Sequence, residues 1–131
     1  MGLDMYAYRV HSLAVIDDFS FERFDDDADF KLHGEFKYWR KNNALHAWME
    51  KLYREKGGTK ESFNCVPLRL TKEDIHRLED DIRGWRLQPK SGFFWGELTY
   101  DEEMRNGDLD FVADALRTIE SGHAVYYDSW W

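Results

Sequence analysis

Apolar residues recur at helical spacing in three stretches of the chain, and each stretch ends at a stop signal. The first stretch predicts a helix from Tyr38 to Lys56, which Gly57 and Gly58 terminate. One side of this helix would carry an apolar stripe made of Tyr38, Leu45, Met49 and Leu52.

The second and third helices are predicted from the same periodicity. Thr71 and Asp74 stand three residues apart, as in a capping box, at the start of a helix with the stripe Ile75, Leu78, Ile82 and Trp85. Asp108 is expected to cap the third helix, which would run to about Ser121 and stop at Gly122. The apolar positions of that helix are Leu109, Val112, Leu116 and Ile119.

Three further stretches have the composition of strands. Residues 3–10 and 124–131 are rich in Tyr and Val, and residues 63–70 form a short strand that Pro67 places at a sheet edge. The order of elements predicts a single domain, residues 1–131, with an α+β fold. Three helices would cover one face of a small mixed or antiparallel sheet, with the first and last strands adjacent. Because strands and helices alternate, a parallel α/β arrangement is the alternative.

An acidic stretch, residues 16–29, lies between the first strand and the first helix. It contains seven acidic residues and one arginine, so it carries −6 of the formal net charge of −8. Such a run disfavours regular packed structure over its whole length, and we expect an acidic loop. Phe19, Phe21 and Phe24 interrupt the acids. Their rings are expected to fix the loop either to its own domain or to a partner.

Composition excludes several classes of protein. With 43% hydrophobic and 17% aromatic residues, the 131-residue chain is too apolar to be disordered. One cysteine excludes an internal disulfide framework and a Cys-based zinc site. The net negative charge argues against direct nucleic-acid binding, and no apolar run approaches the roughly 20 residues that span a bilayer. The start of the chain has no secretory signal pattern, so we expect a cytoplasmic protein, without metal or cofactor.

One flank of the predicted first helix combines polar and aromatic side chains. Residues three and four positions apart are neighbours on a helix, which would align Trp39, Asn43, His46, Glu50 and Tyr53. A ring, an amide, an imidazole and a carboxylate on one line suit a polar, planar ligand, with His46 available as a general base oriented by Glu50. Alternatively, His46 is a core-edge residue and Glu50 is its solvated neighbour.

Two aromatic runs complete the candidate pocket. Residues 91–96 hold three aromatic residues between two glycines, and either fill the core or present rings for stacking. Trp130 and Trp131 either close the core or form a contact surface. The predicted ligand-binding residues are Trp39, Asn43, His46, Glu50, Phe94, Trp95 and Trp130. No catalytic residue is assigned, because no motif has the spacing that a named reaction requires.

Five short motifs follow one another along the chain. They are Met1-Gly-Leu-Asp-Met-Tyr6, Tyr38-Trp-Arg-Lys with Asn43, Leu45-His46 and Trp48, then Ser91-Gly-Phe-Phe-Trp-Gly96, Tyr100-Asp101-Glu102 and Ser129-Trp-Trp131. Together they resemble a family of short proteins encoded by bacteriophages and prophages. The chain departs from that pattern in its acidic stretch and in Glu103-Met104, which stand where further aromatics are expected. The family has no established activity, so the resemblance implies a phage origin and the cytoplasm of an infected bacterium, but no reaction.

Two functional hypotheses result. The first is a phage accessory protein that binds a host protein with a basic surface, such as a host defence complex, and inhibits it. Acids would steer the encounter and Phe rings would anchor it. The predicted partner-binding residues are Asp17, Asp18, Phe19, Phe21, Glu22, Phe24, Asp25, Asp26, Asp27 and Asp29. The second hypothesis is a domain that binds a nucleotide-like small molecule, or an enzyme that acts on one, in the aromatic pocket around Trp39, Asn43 and His46.

Overall fold

The computed structural model describes residues 2–23, 33–90 and 99–131, and the description that follows is confined to them. The strands are β1 (Asp4–Val10), β2 (Val15–Asp17), β3 (Ser20–Phe21), β4 (His33–Arg40), β5 (Leu68–Leu70) and β6 (Ala124–Trp130). The helices are α1 (Asn43–Glu55), α2 (Lys72–Arg83) and α3 (Glu102–Glu120), with a short 3-10 turn at Ser12–Ala14.

Four strands form one antiparallel sheet in the order β4-β1-β6-β5, and β2 and β3 form a separate hairpin. The fold is therefore α+β, as predicted, and the antiparallel pairing rules out the α/β alternative for the described sheet. The first and last strands are neighbours, and β5 lies at an edge just after Pro67.

The main core lies between one face of the sheet and all three helices. Alternation along β1 and β6 directs Met5, Ala7, Val125 and Tyr127 to this side. Leu45, Met49 and Leu52 of α1 contribute as the helical stripe predicted, as do Ile75, Leu78 and Ile82 of α2. Three helices thus cover one face of the sheet.

The β2–β3 hairpin covers part of the opposite face. Phe21 is 5% exposed and packs its ring 4.8 Å from that of Tyr126, centroid to centroid. Val10, Ala14 and Ala124 complete this second, smaller core. The expectation that residues 16–29 lack regular packed structure throughout is therefore wrong for their first part, because β2 and β3 pair with each other and bury Phe21.

The first helix is shorter than the predicted span from Tyr38 to Lys56. It begins at Asn43, because the side chain of Asn42 accepts a hydrogen bond from the backbone N–H of Leu45 and caps the helix. Tyr38 and Trp39 instead belong to β4, which pairs with β1. Tyr38 is therefore not part of the buried helical stripe, and it is 47% exposed.

The third helix begins seven residues earlier than predicted. Asp101 caps it by accepting a hydrogen bond from the N–H of Met104, so Asp108 lies within the helix and is fully buried. The buried row is Asp108, Phe111, Val112, Ala115 and Thr118. Leu109, Leu116 and Ile119 are only partly buried.

The remaining helix and strand predictions are largely confirmed. The capping box of Thr71 and Asp74 is formed at the start of α2. However, α2 ends at Arg83, so Trp85 lies beyond it at φ 56° and is 52% exposed. The strand predicted over residues 63–70 is formed only at Leu68–Leu70. No helix of the described residues is long and apolar enough to cross a membrane.

Candidate functional site

The three residues at the centre of the predicted pocket lie in the interior of the protein. Trp39, which was predicted to be helical, is on β4 and donates its indole N–H to Asp108. Asn43 and His46 are on α1 and are fully buried, and Asn43 Oδ1 accepts a hydrogen bond from the backbone N–H of Lys90 at 2.8 Å. These side chains make structural hydrogen bonds within the domain.

His46 is joined to Tyr127 of β6 in the main core. The distance from His46 Nδ1 to the Tyr127 hydroxyl is 2.6 Å. The His46 ring also stacks on that of Phe63, with centroids 5.2 Å apart. Burial and, secondarily, the charge of Lys90 lower the pKa of His46 to about 3, so the imidazole is neutral at pH 7. Burial raises the pKa of Tyr127, which keeps the phenol neutral as well.

Glu50 and Trp130 are the other two predicted ligand-binding residues that the structure describes. Glu50 forms an ion pair with Lys90 at 2.9 Å on the surface of α1. The pleat of β6 places Trp130 on the opposite face of the sheet from Tyr127, and Trp130 is 65% exposed. Phe94 and Trp95 lie outside the described residues.

Asp108 is the centre of a buried hydrogen-bond cluster that sequence reasoning missed. Its carboxylate accepts hydrogen bonds from Trp39 Nε1 at 3.0 Å, from Asn42 Nδ2 at 2.9 Å and from the Tyr100 hydroxyl at 2.6 Å. Burial raises the pKa of Asp108 to about 6, although these donors and Lys37 oppose the shift. The cluster joins β4, the start of α1 and α3, which gives it a structural role.

The face of the sheet that points away from the helices carries an exposed polar and aromatic surface. Strand pairing aligns its side chains in rows across β4, β1 and β6. One row is Arg40, Asp4 and Trp130, the next is Tyr38, Tyr6 and Asp128, and the third is Glu35, Tyr8 and Tyr126. The hairpin covers the third row through Phe21, whose ring lies 6.0 Å from that of Tyr8.

We call the uncovered part the open half of the sheet. It is made of the first two rows, Asp4, Tyr6, Tyr38, Arg40, Asp128 and Trp130, together with the exposed Glu35 at the β4 end of the third row. Among the described residues, no element packs over it in the way that the hairpin packs over Tyr126. Next to it, Gly2, Asp4, Trp130 and Trp131 surround a shallow cavity of about 220 Å³.

Carboxylates surround the tyrosine at the centre of the open half. Desolvation and then the negative charges of Asp4, Glu35 and Asp128 raise the pKa of Tyr6. The Tyr38 hydroxyl donates to Asp4 Oδ1 at 2.5 Å, and the Tyr38 ring lies 5.4 Å from that of Tyr6. The open half therefore combines rings with a negative potential centred on Tyr6.

Arg23 shows how this face binds a cation. Its guanidinium carbon lies 4.3 Å from the centroid of the Phe21 ring and 5.6 Å from that of Tyr8. At the same time its Nη2 pairs with Asp128 Oδ2 at 3.0 Å. Arg23 thus uses ring stacking and an ion pair together at the border between the covered part and the open half.

The predicted partner-binding residues divide into two groups. Asp17, Asp18 and Glu22 are exposed on the hairpin, whereas Phe21 is buried and Phe19 packs its ring 5.0 Å from that of Tyr53. Phe19 and Phe21 thus fix the hairpin to its own domain, one of the two roles expected for them. The remaining members lie outside the described residues: Phe24, Asp25, Asp26, Asp27 and Asp29.

The described residues show no metal centre, because nowhere among them do three or more His, Cys, Asp or Glu side chains come together in a way that could hold an ion. Comparison of the chain with protein-family models, curated proteins and solved structures gives no match. The function must therefore be argued from the surface of this protein alone.

Proposed function

We propose that this protein is an accessory protein of a bacteriophage that binds a host protein, and that a basic segment of that partner docks on the open half of the sheet. The observation that carries the proposal is that the exposed residues Tyr38, Trp130 and Glu35 lie on one face with Tyr6, Asp4 and Asp128, which are partly buried. The resemblance to phage-encoded proteins supports the setting of an infected bacterium, in which a host defence complex is one candidate target.

The aromatic side chains would supply most of the binding energy. Tyr and Trp are enriched among the residues that dominate protein–protein binding, because they bury a large area with few rotatable bonds. Tyr38 and Trp130 are 47% and 65% exposed, so a partner that covered them would remove substantial apolar surface from water. The carboxylates would select a basic partner and accelerate the encounter, which makes binding dependent on salt.

The acidic part of residues 24–32 is flanked in the sequence by two residues that contact this face of the sheet. Arg23, which precedes residues 24–32, and His33, which follows them, both contact the covered part of the same face. The segment between them contains Asp25, Asp26, Asp27 and Asp29. We propose that these acids contribute to steering, as the sequence suggested.

The proposal is tested by a basic decapeptide of alternating lysine and serine, labelled with a fluorophore. Anisotropy would measure its affinity at about 50 and 300 mM salt. The face variant Asp4→Asn, Glu35→Gln, Asp128→Asn is expected to weaken binding at least tenfold and to reduce its salt dependence. The control variant Glu61→Gln, Asp110→Asn, Glu120→Gln removes the same charge from exposed positions outside the sheet and is expected to bind almost normally.

Two results would contradict this proposal. Absence of peptide binding at low salt would exclude the basic partner. Equal weakening in the face variant and its control would show that only net charge matters and that the open half is not the docking surface. The small-molecule alternative around Trp39, Asn43 and His46 stays a prediction, since the bonds of these residues within the domain favour no particular ligand.

A further inference from the structure

The chemistry of the open half can be defined more closely from the contacts of Arg23. This arginine lies over the Phe21 ring at 4.3 Å, lies beside Tyr8 and pairs with Asp128. One guanidinium therefore contacts an aromatic ring and a carboxylate at the same time. The contacts of Arg23 show, within this protein, how this face of the sheet binds a guanidinium group.

An aromatic ring and a carboxylate are also found earlier in β1, on the same face as Tyr8. Tyr6 precedes Tyr8 on the same face with ring centroids 6.2 Å apart, and Asp4 lies two residues before Tyr6 on that face. Tyr38 lies against Tyr6, and its hydroxyl bonds only one of the two Asp4 oxygens among the described contacts. Tyr6 and Asp4 thus supply a ring and a carboxylate of the kinds that Arg23 contacts, although here both lie on β1, whereas Asp128 lies on β6.

We propose that the open half of the sheet binds the guanidinium group of an arginine in the partner, stacked on Tyr6 and paired with Asp4. Successive residues on one side of an extended chain are separated by about 6.6–6.8 Å, close to the spacing of the Tyr6 and Tyr8 rings. An extended partner segment that lies along β1 would thus place one arginine over Tyr6, next to Arg23.

Arginine suits this position better than lysine for a geometric reason. A guanidinium is planar, so it can lie on a ring and still direct N–H groups sideways to a carboxylate. An ammonium is a compact, strongly hydrated charge that gains less from the ring face. A cation–π contact at an exposed site is equivalent to about two- to fivefold in affinity. Arg40, opposite Asp4 on β4, adds a competing positive charge at the edge of the site.

This inference rests on the proposed function, and its test is designed to separate the two. Labelled hexa-arginine and hexa-lysine carry the same charge, and their affinities for the full chain are compared by anisotropy at low salt. We expect hexa-arginine to bind about three- to fivefold more tightly. Tyr6→Leu is expected to abolish this preference, whereas Tyr6→Phe, which keeps the ring, retains it.

Asp4→Asn provides a second variant that leaves every ring in place. It is expected to weaken hexa-arginine binding about threefold, while Asp110→Asn, on the exposed side of α3, leaves it unchanged. Melting curves of all four variants confirm that each is folded at the temperature of the assay. If Tyr6→Leu does not fold, the Asp4→Asn comparison decides.

The outcomes distinguish the inference from the proposed function. Equal affinity for the two peptides overturns the arginine site but leaves a basic partner in place. A preference that survives Tyr6→Leu, or that Tyr6→Phe also loses, overturns stacking on the Tyr6 ring. Equal binding by Asp4→Asn and Asp110→Asn overturns the ion pair. If neither peptide binds, the proposed function fails together with the inference.

Discussion

The buried carboxylate of Asp108 allows a quantitative prediction about stability and pH. Its pKa is about 6 in the folded protein, against an ordinary value of 3.8 that we assign to the unfolded chain. One pKa unit corresponds to about 1.4 kcal/mol, so the shift of about two units is equivalent to about 3 kcal/mol. This is a measurable part of the roughly 5–15 kcal/mol that stabilise a typical domain.

The sign of the effect follows from which state holds the proton. Below about pH 3, Asp108 is protonated in both states and contributes no difference. Between about pH 4 and pH 6, the folded protein retains a proton that the unfolded chain has released, so raising the pH favours unfolding. Above about pH 6 the whole cost of burying the charge is present. Asp108 therefore makes the fold less stable at pH 7 than at pH 4, relative to a side chain that does not titrate.

Asp108→Asn supplies that reference side chain with nearly the same shape. Urea unfolding of the wild type and the variant at pH 4 and pH 7 gives a double difference in which other titrating groups cancel. We expect the wild type to lose about 2 kcal/mol relative to the variant between these pH values, because the unfolded chain has already released more than half of this proton at pH 4. The control Asp110→Asn removes an exposed charge from the same helix and should show almost no pH-dependent difference.

A double difference near zero would refute this reasoning. The opposite sign would be equally informative, because it would mean that the hydrogen bonds from Trp39, Asn42 and Tyr100 stabilise the carboxylate more than burial disfavours it. In that case the folded pKa would lie below 3.8, and the cluster would stabilise the protein at neutral pH.

Three further predictions use other parts of the structure. His46→Ala should destabilise the fold by about 3 kcal/mol in urea unfolding, since it leaves a cavity and removes the partner of the Tyr127 hydroxyl; unchanged stability would contradict this. Gly107→Ala, inside α3 with open space at its Cβ, should raise the melting temperature, whereas Gly122→Ala, at φ +91°, should lower it; the reverse order would refute the backbone argument. Arg40→Gln should tighten hexa-arginine binding about twofold by anisotropy, and weaker binding would show that Arg40 does not compete with the ligand.

The elements that sequence predicted well have signals that act locally. The capping box at Thr71 and Asp74 and the 3, 4, 3 spacing of the following apolar residues depend on neighbours within one helix. Likewise, Pro67 lacks the N–H that a central strand needs, which explains why β5 lies at the edge. Such features are readable without knowledge of the rest of the fold.

Strand β4 was missed because a bulge disrupts its alternation. The register between β1 and β4 shifts at Ala7 and Tyr8, which face Lys37 and Glu35. As a result Phe36 and Trp39, three residues apart, both pack on Phe111. Tyr38 stands seven residues before Leu45, which is two helical turns, so the apolar pattern extended the predicted helix back over the end of this strand. Because β4 was not predicted as a strand, Tyr38 and Glu35 were not recognised as residues of an exposed sheet face.

Asp108 was misassigned for a different reason. An aspartate before an apolar run is a common helix cap, and nothing nearby in the sequence shows that this one is buried. Two of its three hydrogen-bond donors, Trp39 and Asn42, are 69 and 66 residues away. Only tertiary structure brings them together. The exposed face was partly readable, because Tyr6 and Tyr8 alternate with Met5 and Ala7 in the first strand.

The size of the hairpin determines where a partner can bind. Strand β3 has only two residues. Its Phe21 packs in the rows of Tyr8 and Val10. Among the described residues, neither the ring contacts nor the smaller core joins Phe21 to Tyr6 or Asp4. A longer hairpin would extend the small core across the whole outer face and bury Tyr6. Within the part of the chain that the structure describes, the short hairpin leaves two rows of the sheet uncovered beside an arginine that already binds a ring and a carboxylate. The proposed docking surface is therefore a direct result of how much of the sheet this hairpin can cover.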